Sequence, residues 1–226
     1  MTEGSAERTA APHSAAVVFD LDGTLVDSRA DIVDAVTFAL AEHRATPRSP
    51  AEIASYVGDG ARLLVARALG LPADDPRVDA VLATFLARYE AHPADSTVPM
   101  PGALDALDAL SALPLAVCTN KPRRVTELVL GHLGLTARFD VLVAGGDVGR
   151  GKPSPEPLLL AAERLGFPAE RVVMVGDGVQ DVECGRAAGA LTVAVLGGFG
   201  AEATLRAARP DRIIATLLDL PALVLP

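Results

Sequence analysis

Asp20-Leu21-Asp22-Gly23-Thr24 sets two carboxylates one residue apart directly behind the apolar run Ala15 to Phe19. Alternate side chains of an extended strand share a side, so Asp20 and Asp22 face the same way while Leu21 turns into the core. A second acidic pair, Asp177 and Asp181, follows the apolar run Arg171 to Gly176, four positions apart and on one face of any helix that starts there. Carboxylates gathered in this way repel one another and raise their own pKa values unless a cation sits among the oxygens. No histidine or cysteine stands among these acidic pairs, and an oxygen-only set with few protein ligands selects a hard ion, Mg²⁺. Thr119, Asn120 and Lys152 stand behind two further apolar runs and offer a hydroxyl, an amide and an ammonium. Such donors suit the non-bridging oxygens of a phosphoryl group, so the expected ligand is a phosphate.

Taken singly these residues have plainer readings: Asp22, Thr119 and Asp177 as helix N-caps, Lys152 as a solvated loop charge, Gly178 as a turn residue. What argues for chemistry is that every one of them follows a strand-like segment. Ala15–Asp20, Pro114–Thr119, Phe139–Ala144, Arg171–Gly176 and Leu191–Leu196 are short continuous apolar runs, the pattern of strands buried on both faces, with Arg212–Ala215 a sixth candidate. Helical spacing fills the intervals: Leu104, Leu107, Leu110 and Leu113; then Val125, Leu128, Val129 and Leu133; then Leu158 to Leu165 behind Pro155 and Pro157. Alternating strand and helix predicts an α/β fold, a doubly wound parallel sheet with helices on both faces. In such a sheet ligands bind beyond the carboxyl ends of the strands, where all these polar residues lie.

The stretch from Asp27 to about Ala94 breaks the alternation. It reads as helices alone: one behind Ser28, with Ser28 and Asp31 as a capping box ahead of Ile32, Val33, Val36 and Leu40; a second from near Asp59; a third with Pro76 in its first turn and Val78, Val81, Leu82, Phe85 and Tyr89 on one face. That length far exceeds the roughly dozen residues a crossover requires, so residues 27–95 are expected to form an inserted all-helical cap domain. Residues 15–26 and 96–226 then make the α/β core, and residues 1–14 a disordered tail.

The chain has 226 residues, half of them apolar and 22% charged, enough to bury a large core. Its net charge of −9 comes without a basic run, which argues against nucleic acid or an anionic membrane surface as partner. No stretch approaches the roughly 20 apolar residues of a membrane span. Cys118 and Cys184 form no CxxC pair and the four histidines are scattered, which excludes zinc spacing and fits a reducing cytoplasm. Alternation turns the Cys118 thiol away from the site, into core packing. Gly146-x4-Gly151-Lys152 nearly matches a phosphate-binding P-loop, but Pro153 stands where a hydroxyl must bind Mg²⁺. Gly176 to Asp181 lacks the last glycine of a dinucleotide fingerprint, and Asp20-x-Asp22-Gly23 has its glycine two positions too early for a calcium loop.

In order, FDLDGTLVDS (Phe19–Ser28), CTN (Cys118–Asn120), GKPSPEP (Gly151–Pro157) and GDGVQD (Gly176–Asp181) resemble the four motifs of the haloacid dehalogenase-like superfamily of phosphohydrolases. The resemblance spans Ala15 to about Gly198 and implies a Rossmann-like core with a helical cap inserted after the first motif. It also implies roles: Asp20 as the nucleophile that becomes an aspartyl-phosphate, and Asp22 as general acid and base. Mg²⁺ would be held by Asp20, the backbone carbonyl of Asp22 and Asp177, with Asp181 a direct ligand or a supporting one. Thr119 and Lys152 would clamp the phosphate, helped by Asn120 and the Gly23 backbone N–H. TNKP (Thr119–Pro122), VGDG (Val57–Gly60) and Pro101-Gly102 are most similar to phosphoglycolate phosphatases and their close relatives. The expected activity is therefore Mg²⁺-dependent hydrolysis of a small phosphate monoester, phosphoglycolate-like or a sugar phosphate, by a monomer or homodimer. The alternatives are a phosphomutase of the β-phosphoglucomutase type and a non-catalytic phospho-ligand sensor on the same fold; a dehalogenase would lack Asp22. In the cap, Arg62 reads equally as the partner of a substrate carboxylate or as a solvated helix charge, and so does Lys121 in the core.

Overall fold

A computed structural model of the protein describes residues 16–225; the expected tail, residues 1–14, lies outside the described residues. The first apolar run is strand β1 (Ala16–Phe19), buried on both faces as its unbroken hydrophobicity requires. It is the centre of a six-stranded parallel sheet with β4 (Leu115–Pro122) and β5 (Val141–Gly145) on one side and β6 (Val172–Gly176), β7 (Leu191–Val195) and β8 (Arg212–Ile214) on the other. The order β5-β4-β1-β6-β7-β8 reverses direction at β1, which opens a crevice at the carboxyl ends of β4, β1 and β6. Phe19 pairs with Val117 and with Val175, so Asp20, Thr119 and Asp177 leave three adjacent strands at nearly one level.

Side-chain alternation divides the core. Val17, Phe19, Val117 and Val175 point to the face carrying α5 (Ala103–Ala109) and α6 (Arg123–His132). Val18, Cys118 and Met174 point to the face carrying α7 (Glu156–Leu165) and α8 (Val179–Ala188). Cys118 is thus a core residue, as expected, but it lies on the side away from Leu21, the one Asp20 shares, and so is not turned away from the site.

Between β1 and β4 stand α1 (Arg29–Glu42), α2 (Pro50–Ala54), α3 (Ala61–Leu69) and α4 (Arg77–Ala91), the helical cap. Its buried Ile32, Leu64, Phe85 and Tyr89 belong to the same apolar cluster as Phe19 and Leu21, so the cap rests on the sheet's upper end. Two linkers join it to the core through a short antiparallel ribbon of β2 (Val26–Asp27) and β3 (Val98–Pro99), which periodicity did not indicate.

Three further details differ from the sequence reading. The capping box at Ser28 and Asp31 does not form: Ser28 Oγ donates to Asp22 Oδ1 at 2.6 Å, while the Asp31 carboxylate accepts from Ser96 N–H at 3.0 Å and Thr97 Oγ1 at 2.5 Å, tying α1 to the second linker. The box forms instead at Ser49 and Glu52, ahead of α2, a one-and-a-half-turn helix too short for its periodicity to register. The helix expected from near Asp59 starts at Ala61, behind Gly60.

Candidate active site

Asp20, Asp177 and Asp181 each present a carboxylate oxygen within 4.8 Å of the other two, and all three are buried. Asp20 is delivered by the end of β1 and Asp177 by the end of β6. Asp181 sits in the first turn of α8, where its Oδ2 accepts from Gly178 N–H at 2.9 Å. Lys152, from the loop after β5, reaches across with a fully buried ammonium, 2.8 Å from Asp20 Oδ1 and 2.6 Å from Asp181 Oδ1. One ammonium against three carboxylates leaves negative charge in a dry place. Burial, reinforced by Asp20, pushes Asp177 up to about 6, and burial pushes Asp181 up as well, with Asp20 and Asp177 adding to it and Lys152 opposing. Burial alone would lower Lys152, but Asp181 and Asp20 hold it well above its ordinary value, as a cation.

Asp20 Oδ1 accepts no hydrogen bond, although it is buried and beside an ammonium. A buried carboxylate oxygen without such a bond is costly, and here it stands among the other acids. These oxygen donors fit a hard divalent cation. Asp177 is held for such use: Thr24 Oγ1 donates to its Oδ1 at 2.8 Å, and Phe199 N–H to its Oδ2 at 2.7 Å.

Thr119 is buried beside this group, its hydroxyl accepting from Lys121 N–H at 3.2 Å. Two other expected donors are engaged elsewhere. Gly23 N–H donates to Val26 O at 2.8 Å, so it is not free for a phosphate; what the position requires is a glycine, with φ +87° and an ideal Cβ only 2.3 Å from Asp177 Oδ2. Asn120 Nδ2 donates to Gly58 O in the cap at 3.0 Å and to Lys152 O at 2.9 Å, while its Oδ1 accepts from Lys152 N–H at 2.8 Å. Its amide therefore positions the Lys152 loop and ties it to the cap, with both donors taken. Arg62 does not turn toward the carboxylates: it donates to Ala73 O and pairs with Asp79 on the exposed side of the cap.

Asp22 is turned toward Lys121, and Lys121 is not the solvated charge that one reading allowed. Its side chain is 2% exposed, and its ammonium is bonded to both Asp22 oxygens at 2.8 and 3.1 Å and to Tyr89 Oη at 2.5 Å. Burial alone would lower the Lys121 pKa, but Asp22 and Tyr89 together raise it; burial pushes the Tyr89 hydroxyl up to about 12. A pocket lies over Asp20, Asp22, Thr119 and Lys121, roofed by Ile32, Val57, Leu64 and Phe85 of the cap segment. The floor is charged and the roof apolar.

A doubly wound sheet with its acids, ammonium and hydroxyl at the switch point and a helical cap above defines a capped α/β hydrolase. The comparisons agree: residues 15–189 match the model of the haloacid dehalogenase-like hydrolases, and the chain belongs to that family. Over 187 residues it is 42% identical to N-acetylmuramic acid 6-phosphate phosphatase of Pseudomonas aeruginosa, covering 81% of this chain and 82% of the relative. It is 41% identical to a phosphoglycolate phosphatase of Chromobacterium violaceum, covering 92% and 96%. Among solved structures, a predicted phosphoglycolate phosphatase from Haemophilus somnus superposes with a TM-score of 0.84 at 25% identity, over 91% of this chain and 96% of that one.

Proposed function

We propose that the protein is a Mg²⁺-dependent phosphatase of small phosphate monoesters that works through an aspartyl-phosphate on Asp20. The observation that carries this reading is Asp20 Oδ1, buried without a hydrogen bond among two more carboxylates and the Lys152 ammonium. Bound Mg²⁺ would polarise the phosphoryl oxygens and offset the charge that builds on them. Asp20, the Asp22 backbone carbonyl and Asp177 would hold it, with Asp181 as ligand or support.

The rest follows from the chain's own groups. An Asp20 oxygen attacks phosphorus in line with the leaving alkoxide. Lys152 and Thr119 bind the non-bridging oxygens, and Asn120 keeps the Lys152 loop in place. Asp22 gives a proton to the departing alkoxide, then takes one from the water that hydrolyses the aspartyl-phosphate. The apolar roof excludes bulk water, which strengthens every charge interaction beneath it. In this reading the cap comprises residues 27–95 and the enzyme acts on soluble esters in the cytoplasm as a monomer or homodimer. The absence, among the described residues, of a helix long and apolar enough to cross a membrane is compatible with that.

The relatives' names suggest two substrates, phosphoglycolate and an amino-sugar acid 6-phosphate, each a phosphate ester that also carries a carboxylate. A panel of both, with simple sugar phosphates and with and without Mg²⁺, tests the proposal. Mg²⁺-dependent release of inorganic phosphate supports it. A rearranged sugar phosphate without phosphate release would make the protein a mutase, and binding without turnover a sensor.

A further inference from the structure

Lys121 is a buried cation that the phosphate clamp does not employ. Its three N–H donors are filled by Asp22 Oδ1, Asp22 Oδ2 and Tyr89 Oη, and its Nζ lies 4.5 Å from the centroid of the Tyr89 ring, within cation–π range. Asp22 also accepts from Ser28 Oγ at 2.6 Å. Tyr89 belongs to α4 of the cap, whereas Lys121 and Asp22 belong to the rim of the sheet. One ammonium therefore links the cap to the carboxylate two residues from Asp20.

Stability does not account for this arrangement. Withdrawing both charges from water is costly, and a well-packed apolar pair would do as well or better. The geometry has a chemical meaning instead: Lys121 grips both Asp22 oxygens and Ser28 one of them, which fixes where the carboxylate points. On the phosphatase reading, the step that needs an acceptor is the second one. There a water oxygen bonds to phosphorus, the bond from phosphorus to Asp20 breaks and leaves a carboxylate, and the water's proton passes to Asp22.

We propose that Lys121 is a positioning residue, held by Tyr89 of the closed cap, that sets the Asp22 carboxylate to receive this proton, so that hydrolysis of the phosphoenzyme depends on cap closure. Rapid-mixing kinetics with p-nitrophenyl phosphate and Mg²⁺ test it, on wild type, Lys121→Met and Tyr89→Phe. A nitrophenolate departs without a proton, so the first turnover does not require one from Asp22, whereas each later turnover waits for the phosphoenzyme to hydrolyse. The ratio of first-turnover to steady-state rate should rise ~100-fold in Lys121→Met, the lower end of what a general base contributes, and ~10-fold in Tyr89→Phe, which loses only part of that effect, and acid-quenched phosphoenzyme should accumulate. Tyr89→Phe keeps the ring and removes only the hydroxyl oxygen, so it reports on the link where Lys121→Met fails to fold. If both rates fall together and the ratio stays, the role is structural and the proposal is wrong. If instead KM rises only for carboxylate-bearing esters such as 2-phosphoglycolate at constant ratio, Lys121 reads the substrate and the proposal is also wrong. A wild type that releases no nitrophenol with Mg²⁺ would sink the phosphatase reading and this inference with it; the variant ratios sink the inference alone.

Discussion

Gly23→Ala adds one methyl group, changes no charge, and should nevertheless disable the site. The backbone there has φ +87°, a conformation that costs an L-residue about 1–2 kcal/mol, and the new Cβ would lie 2.3 Å from Asp177 Oδ2. A carbon and a non-bonded oxygen cannot approach so closely, so the Asp177 carboxylate must retreat by roughly 1 Å, a misplacement that can cost about 100-fold in rate. Gly134→Ala is the control: φ is +67° there, but nothing lies within 4 Å of the added Cβ. Both variants should melt lower by roughly 2–8 °C, the equivalent of that backbone strain in a chain of this size. Only Gly23→Ala should lose kcat/KM for Mg²⁺-dependent phosphate release, by about 100-fold, while Gly134→Ala stays within about threefold of wild type. Equal activity in the two variants would refute the argument, because strain without displacement of Asp177 would then be the whole effect.

Other outcomes follow from the same geometry. Arg62→Ala should leave KM for phosphoglycolate within about twofold, since an exposed ion pair such as that of Arg62 with Asp79 contributes little; a tenfold rise would return Arg62 to substrate binding. In metal-free protein the raised pKa of Asp177 means that the folded state holds a proton the unfolded chain has released, so its contribution to stability is complete below about pH 4 and is lost as pH rises through about 6. Mg²⁺ should therefore raise the melting temperature more at pH 8 than at pH 5, as thermal melts against a chelator control will show; equal shifts would contradict this. Burial pushes the Cys118 and Cys184 thiols up, the latter to about 11. Native protein at pH 8 should resist a thiol reagent that labels both cysteines once the chain is unfolded.

The sheet was legible because a strand covered on both faces must be apolar throughout, and four of the five such runs were followed by a polar motif. The carboxylate cluster was legible for a related reason: adjacent strand ends bring the residues after them together whatever the loops do. Local polar contacts were not. Ser28 and Asp31 have the spacing of a capping box, but Asp22 and the linker residues Ser96 and Thr97 compete for their side chains and win. Lys121 reads equally as a substrate partner or a solvated charge until Asp22, 99 positions away, and Tyr89, 32 positions away, close over it. Asn120 and Gly23 were placed correctly at the rim, yet their donors go to Gly58, Lys152 and Val26, partners that depend on how the cap and the turn after β1 fold. Tyr89 was legible as core; its hydroxyl, reaching toward Lys121, was not.

Asp20 is where the account is most exposed. Asp20→Asn keeps the shape of the side chain and removes the nucleophilic oxygen, so steady-state phosphate release with Mg²⁺ should fall by at least about 10³-fold while the melting temperature stays near that of wild type, the scale on which loss of a catalytic nucleophile is felt. Turnover within about tenfold of wild type, still dependent on Mg²⁺, would mean that no bond forms between Asp20 and phosphorus.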